Sequence, residues 1–283
     1  MRTKALFGPA GQCERASLEK IRSTEKYIEW LKTNGADAFE YQCGRGVNIR
    51  EEKARLIGEK ARECGITLSL HAPYYISLAS AEEEKRDNSI RYILESARAA
   101  SWMGAERIVV HPGGIGKMNR EEAYSLAEST LKRAVEAVRA EGLDTIICPE
   151  VMGKINQLGN LSEVLRFCSI DETLIPCVDF GHLNSRLHGG LDYREALDEI
   201  FDSIGEHRAK LLHIHFSKIE YSKGGEVRHL TFEDNQFGPN FEPLMEEIAR
   251  RGMTPTVICE SAGTQTDDAL AMKRCWEAFC GGK

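Results

Sequence analysis

Short apolar runs alternate with longer amphipathic stretches from one end of the chain to the other. Strand-like runs fall near residues 4–8, 36–42, 66–71, 106–111, 144–150, 174–179, 210–216 and 254–260. Between them lie segments such as EEEKRDNSIRYILESARAASWMGA and REEAYSLAESTLKRAVEAVRAEG, whose apolar residues recur at helical spacing. Gly35, Gly65, Gly104 and Gly142 each close a helical run ahead of a strand, where a C′ glycine belongs. Eight βα units predict a (β/α)8 TIM barrel, with a doubly wound open sheet as the alternative. No low-complexity tract or Ser/Gly/Pro-rich linker marks a boundary, so a single domain over residues 1–283 is expected.

The ends of these runs change the picture from fold to chemistry. ITLSLHA, RIVVHPG, TIICPEV, LIPCVDFGH, LLHIHFS and TVICES place His71, His111, Glu150, Asp179 with His182, His215 and Glu260 at or just beyond strand C-termini. In a closed parallel barrel those termini share one rim, where active sites assemble, whereas an open sheet would not bring six strand ends to one point. A single strand-end histidine is ordinarily a hydrogen-bonded structural residue. Six such positions together point to cations, because burying several carboxylates and imidazoles at one end of a core is costly without compensation.

Imidazole and carboxylate donors without thiolates suit zinc, manganese or iron. The set exceeds what one tetrahedral ion uses, so two or three ions are expected, with Glu150 able to bridge a pair. Two close ions can activate a water and stabilise both oxygens of an in-line phosphoryl displacement. His213 and His215 lie two apart on one strand face. His215, nearer the rim, is taken as the ligand and His213 as a core or supporting residue.

Composition adds limits. The chain of 283 residues is 42% hydrophobic and 29% charged, ordinary for a globular protein with a sizeable core. The N-terminal stretch MRTKALFGPAGQCER has no secretory h-region, and no apolar run nears the roughly 20 residues of a membrane span, so a cytoplasmic protein without membrane contact is expected. A monomer is the working expectation, though no sequence feature sets the oligomeric state. Nine cysteines, none in close C-x-x-C pairs, fit a reducing compartment, and Cys148 and Cys259 read as small buried hydrophobes. The formal charge of −7 gives no global sign of nucleic-acid binding, so any such contact would have to be local, with metal cations supplying the positive field.

Nearly the whole chain, from FGPAG to CESAG, resembles the endonuclease IV family of apurinic/apyrimidinic endonucleases, within the xylose-isomerase-like barrels. The matching segments are LHAPYYISLAS, VVHPG, CPE, VDFGHLN, HIHFS and ICES. The resemblance implies a zinc cluster that cuts the DNA backbone 5′ to an abasic site and leaves a 3′-hydroxyl. It implies that His71, His111 and Glu150 form a first site and that Glu150, Asp179, His215 and Glu260 form a second, making Glu150 the catalytic bridging residue. His182 and His229 would serve a third, and Tyr74 would lie against DNA beside the flipped-out nucleotide.

Two segments depart from the family pattern. Where the family has Asp-x-His, this chain has Val227-Arg228-His229, and valine cannot ligate a metal. Glu226 stands one residue out of register and Glu233 and Asp234 follow, so the third site is altered in its ligands or absent. The loop YQCGRGVNI matches loosely, with Arg45 a candidate phosphate contact, and Arg228 is another. Two other function classes remain: a sugar isomerase or epimerase using Glu150, Asp179, His215 and Glu260 around one divalent ion, and a metal-dependent binding protein without turnover.

Overall fold

The computed structural model describes residues 3–281. Ten strands are present among them: β1 (Leu6–Pro9), β2 (Ala38–Gln42), β3 (Thr67–His71), β4 (Arg107–Val110), β5 (Ile146–Pro149), β6 (Cys177–Asp179), β7 (His213–Phe216), β8 (Lys218–Ser222), β9 (Gly225–Leu230) and β10 (Thr256–Cys259). The first seven strands and β10 are parallel and form two four-stranded arcs, ordered β1-β10-β7-β6 and β2-β3-β4-β5. Parallel bridges Ala10–Glu40 and Glu150–Cys177 join the arcs at both seams. The ring is therefore closed, which removes the open sheet from consideration and puts all eight strand C-termini on one rim.

Closure at the first seam depends on a missing side chain. A Cβ on Gly8 would come within 1.8 Å of the Ala38 carbonyl oxygen, so only glycine lets β1 and β2 approach this closely. Helices such as Glu51–Cys64, Glu83–Met103 and Arg120–Ala140 pack outside the ring and bury one apolar stripe each. All four glycines expected at helix ends adopt left-handed backbone, with φ of 92° at Gly35, 65° at Gly65, 68° at Gly104 and 69° at Gly142.

The remaining pair, β8 and β9, is an antiparallel hairpin standing on the rim after β7. The hydrophobic pattern did not announce it. Its strands KIEYS and GEVRHL are mostly polar because they lie over the mouth of the barrel rather than in its wall. Hydrogen bonds from Ile155 N to the Gly224 carbonyl and from Glu226 N to the Gly153 carbonyl clamp the hairpin to the loop after β5. Among the described residues no helix is long and apolar enough to cross a membrane.

Candidate metal centre

Glu150 follows β5 at the centre of the rim and is 1% exposed. Its two oxygens are divided between two sets of partners. Oε2 lies 3.3 Å from His71 Nε2 and 2.9 Å from His111 Nε2. Oε1 lies 3.3 Å from His215 Nδ1 and 3.5 Å from His182 Nδ1. Burial alone would push this carboxyl up, but His111 and the other histidines hold it well below the usual carboxylate range.

Three groups of donor atoms, each mutually within 4.8 Å, surround it: His71, His111 and Glu150; Glu150, Asp179, His215 and Glu260; and His182, Glu226 and His229. Backbone contacts set several of the rings. His71 Nδ1 is 2.8 Å from the Ala72 carbonyl and His182 Nδ1 is 3.0 Å from that of Val151, so each donates there and leaves Nε2 for the site. His229 Nδ1 lies 2.9 Å from the Ser217 hydroxyl. Asp179 ends β6 and caps the helix Phe180–Arg186, Oδ1 accepting from His182 N at 2.7 Å, while its Oδ2 is buried without a hydrogen-bond partner.

An orphaned carboxylate oxygen beside so many imidazoles fits a divalent cation better than it fits a hydrogen-bonded core. The proton affinities agree. Burial pushes His182 down, yet Asp179, Glu150 and Glu226 raise it to about 10. His71 and His215 are likewise raised, burial being outweighed for His71 chiefly by Glu150 and for His215 by Cys177, Glu40 and Glu260. Protons thus sit where cations would balance the same carboxylates.

The third group has Glu226 where the family has Asp, the altered-ligand alternative that Val227 left open. Regular alternation would put Glu226 and His229, three apart, on opposite faces of β9. The hairpin register runs Ile219–His229, Glu220–Arg228, then Tyr221–Glu226, so Val227 is the extra residue of a β-bulge. The bulge restores Glu226 to the face of His229, and Val227 is turned outward, 50% exposed. Glu226 Oε2 reaches His182 Nε2 at 3.4 Å, and Gly153 leaves room for the pair. Glu233 and Asp234 do not join this group.

A cavity of about 610 Å³ opens over the centre, lined by Tyr74, Met152, Lys154, Gln157 and the donors other than Asp179 and His215, which lie beneath its surface. Tyr74 is 53% exposed, its ring stacked on His111 at 5.4 Å and its hydroxyl donating to Gln42 Oε1 at 3.0 Å. Burial, with nearby Glu260 and Glu150, pushes its phenol up to about 12. Two candidate DNA contacts lie elsewhere. Arg45 is exposed on the loop after β2 and does not line the cavity, and Arg228 sits on the other face of β9 paired with Glu220 at 2.7 Å. Among the described residues, Lys154 is the one lysine or arginine lining the cavity.

His213 is fully buried below His215, where burial lowers it to about 4. Its Nε2 lies 2.8 Å from Glu40 Oε2, a residue absent from the candidates drawn from the sequence. Glu40 is a carboxylate within the apolar strand AFEYQ, and that misfit was the signal available. Cys148 and Cys259 are buried, their thiols pushed up to about 12, and take no part.

Residues 28–275 match the family described as xylose isomerase-like TIM barrel. An uncharacterised protein of Methanocaldococcus jannaschii is 34% identical over 272 residues, covering 95% of this chain and 96% of that protein. A probable endonuclease 4 of Aster yellows witches'-broom phytoplasma is 30% identical over 252 residues, covering 83% and 84%. Among solved structures, a D-tagatose 3-epimerase-like protein superimposes with a TM-score of 0.73 at 22% identity, covering 98% and 97%. Endonuclease IV from Thermus thermophilus superimposes with a TM-score of 0.65 at 18% identity, covering 92% and 95%. At these identities both likenesses show the fold alone, so the choice of chemistry rests on the site.

Proposed function

We propose, from the premise that this chain belongs to the xylose isomerase-like TIM barrel family, that it is a metal-dependent phosphodiesterase of the endonuclease IV kind, cleaving DNA 5′ to abasic sites. The observation that carries this reading is the division of Glu150. Its Oε2 faces His71 and His111 while its Oε1 faces His215 of the second donor group, the arrangement of a carboxylate shared between adjacent cation sites. A single ion on Glu150, Asp179, His215 and Glu260 would leave His71, His111, His182, Glu226 and His229 gathered around it without a purpose.

Two or three zinc ions, or manganese in their place, would supply a reactive water and charge stabilisation on both oxygens of an in-line displacement. The chain's own groups do the rest. Glu150 and Asp179 fix the spacing of the centre from buried, rigid positions, and the backbone-anchored rings of His71 and His182 hold their free nitrogens toward it. Tyr74 presents a flat, half-exposed face at the mouth, suited to the gap beside a nucleotide without a base. Such a nucleotide enters a pocket at lower cost because no base is unstacked or unpaired. With Lys154 the one lysine or arginine among the described lining residues, phosphate attraction would come mainly from the ions, helped outside by Arg45 and Arg228.

A second reading keeps one observation in its favour. Glu150, Asp179, His215 and Glu260 can by themselves hold one divalent ion and leave two glutamates beside it to move a proton next to a carbonyl, the chemistry of a ketose epimerase. A duplex oligonucleotide with one abasic site, incubated with zinc-loaded or manganese-loaded protein, separates the two. The nuclease reading predicts a nick on the 5′ side of the lesion and none in intact duplex. An uncut lesion together with epimerisation of a free ketose would replace it with the second reading.

A further inference from the structure

The barrel interior beneath the centre holds a charge that the proposed chemistry does not use. Glu40, on β2, is fully buried among polar groups from its own strand and from β3 and β7. Oε2 accepts from the Ser69 hydroxyl at 2.9 Å and from His213 Nε2 at 2.8 Å. Oε1 accepts from the Gln42 amide at 3.2 Å and lies 3.1 Å from His215 Nε2. Such a carboxylate is expensive to bury and persists only where its partners are fixed.

His215 is the member of the centre that reaches down to it. The ring spans the two layers, with Nδ1 facing Glu150 and Glu260 at 3.3 and 3.6 Å and Nε2 facing Glu40. Nδ1 is the nitrogen that hydrogen-bonds, to Glu150 Oε1, whereas Nε2 faces Glu40 Oε1 without a hydrogen bond and has no other hydrogen-bond partner among the described residues. The other group against both histidines is the buried Cys177 thiol, a far weaker acceptor than a carboxylate. A histidine can offer a lone pair to a cation at only one nitrogen when its proton is held at the other.

We propose that Glu40 is a positioning residue of the centre: held by the Nε2 proton of His213, it sets its negative charge against His215 Nε2 and so favours a proton there once a divalent cation takes Nδ1. This rests on the metal-centre reading and extends it to a residue outside the donor set. His213 acts with Glu40 as a brace: its Nε2 is committed to Oε2 while its Nδ1 has no partner, so it holds the carboxylate without joining the ligands. The same carboxylate reaches the mouth through Gln42, whose Oε1 accepts from the Tyr74 hydroxyl, tying ligand tautomer and ring position to one buried group.

The probe is zinc itself, titrated against a competing chelator, with Glu40→Gln compared with the unaltered chain. The amide keeps the shape but removes the charge and turns one acceptor into a donor. Losing a partner of this kind weakens metal binding by about 10–100-fold, so one ion should be held that much more loosely while circular dichroism stays native. Unchanged affinity and stoichiometry with lowered thermal stability would assign Glu40 a packing role and overturn the proposal. Should Glu40→Gln fail to fold, Ser69→Ala removes one bond to the same carboxylate and should loosen the same ion several-fold, and unchanged affinity would again overturn it. Nitrogen-15 spectra of the unaltered zinc-loaded protein read the tautomer directly: protonated Nε2 and bare Nδ1 at His215 support the proposal, and the reverse overturns it. Zinc uptake by the unaltered chain checks the metal-centre reading first, and its absence sinks both.

Discussion

Gly153 is the narrowest point of the third donor group and therefore the sharpest place to perturb it. A Cβ there would lie 2.6 Å from Glu226 Cβ, 2.9 Å from His182 Cδ2 and 2.9 Å from Ser185 Oγ. Ordinary contact requires about 3.5–4.0 Å, so Gly153→Ala must push these groups apart by roughly 1 Å. None of the three is the far end of a flexible chain, and overpacking of this kind costs about 1–3 kcal/mol. A chain of 283 residues unfolds with an entropy near 0.6 kcal/mol per kelvin, so the metal-free Tm should fall by about 2–5 °C. The larger effect should be on binding. Glu226 and His182 donors now lie 3.4 Å apart, and metal-ligand distances tolerate about 0.2 Å, so the ion shared by them should weaken at least about tenfold. Thermal melts and chelator competition measure the two effects separately. A Tm within about 1 °C of the unaltered protein, with every ion held as before, would refute the packing of this corner.

Other perturbations reach different parts of the account. Glu150→Gln should keep the fold and lose abasic-site cleavage by at least about 100-fold; near-normal activity with normal metal content would remove the bridging role. Deleting Val227 removes the bulge but leaves Glu226 two residues before His229, still on one face, so the third ion should be retained, whereas Val227→Asp should not tighten it because that position faces outward. Tighter binding by Val227→Asp in zinc titration would contradict the bulge. The proton held by His182 raises its affinity from 6.5 to about 10, so it stabilises the metal-free fold fully below 6.5 and the contribution is lost as pH rises through about 10. Metal uptake near pH 7 should therefore release protons, read as a dependence of the calorimetric enthalpy on buffer ionisation; no such dependence would count against the protonated centre.

The barrel and most of the donor set were legible in the sequence because both follow from one periodicity. Each apolar run is a wall strand, its last residue lies on the rim, and closure brings the rims together, so His71, His111, Glu150 and Asp179 could be placed from their positions alone. What escaped depends on contacts that carry no period. The β8–β9 hairpin has mostly polar strands and leaves no alternation to read. Glu226 looked out of register because spacing along the chain assumes regular strands, and the bulge at Val227 breaks that assumption. Glu40 stood out only as a carboxylate in an apolar run, and nothing along the chain named the groups that face it, since Ser69, His213 and His215 lie on two other strands of the ring. Arg45 and Arg228 were chosen for their charge, and the structure sets both outside the cavity, so their proposed part is an outer contact to phosphate.

Metal content is the measurement that bears most directly on the central claim of a multinuclear centre divided by Glu150. Elemental analysis of protein supplied with zinc and freed of loosely bound ions should give at least two ions per chain, and three while the Glu226 corner is intact. One ion or fewer per chain, after zinc and manganese have each been supplied, would contradict the account and leave Glu150, Asp179, His215 and Glu260 as a single-ion site.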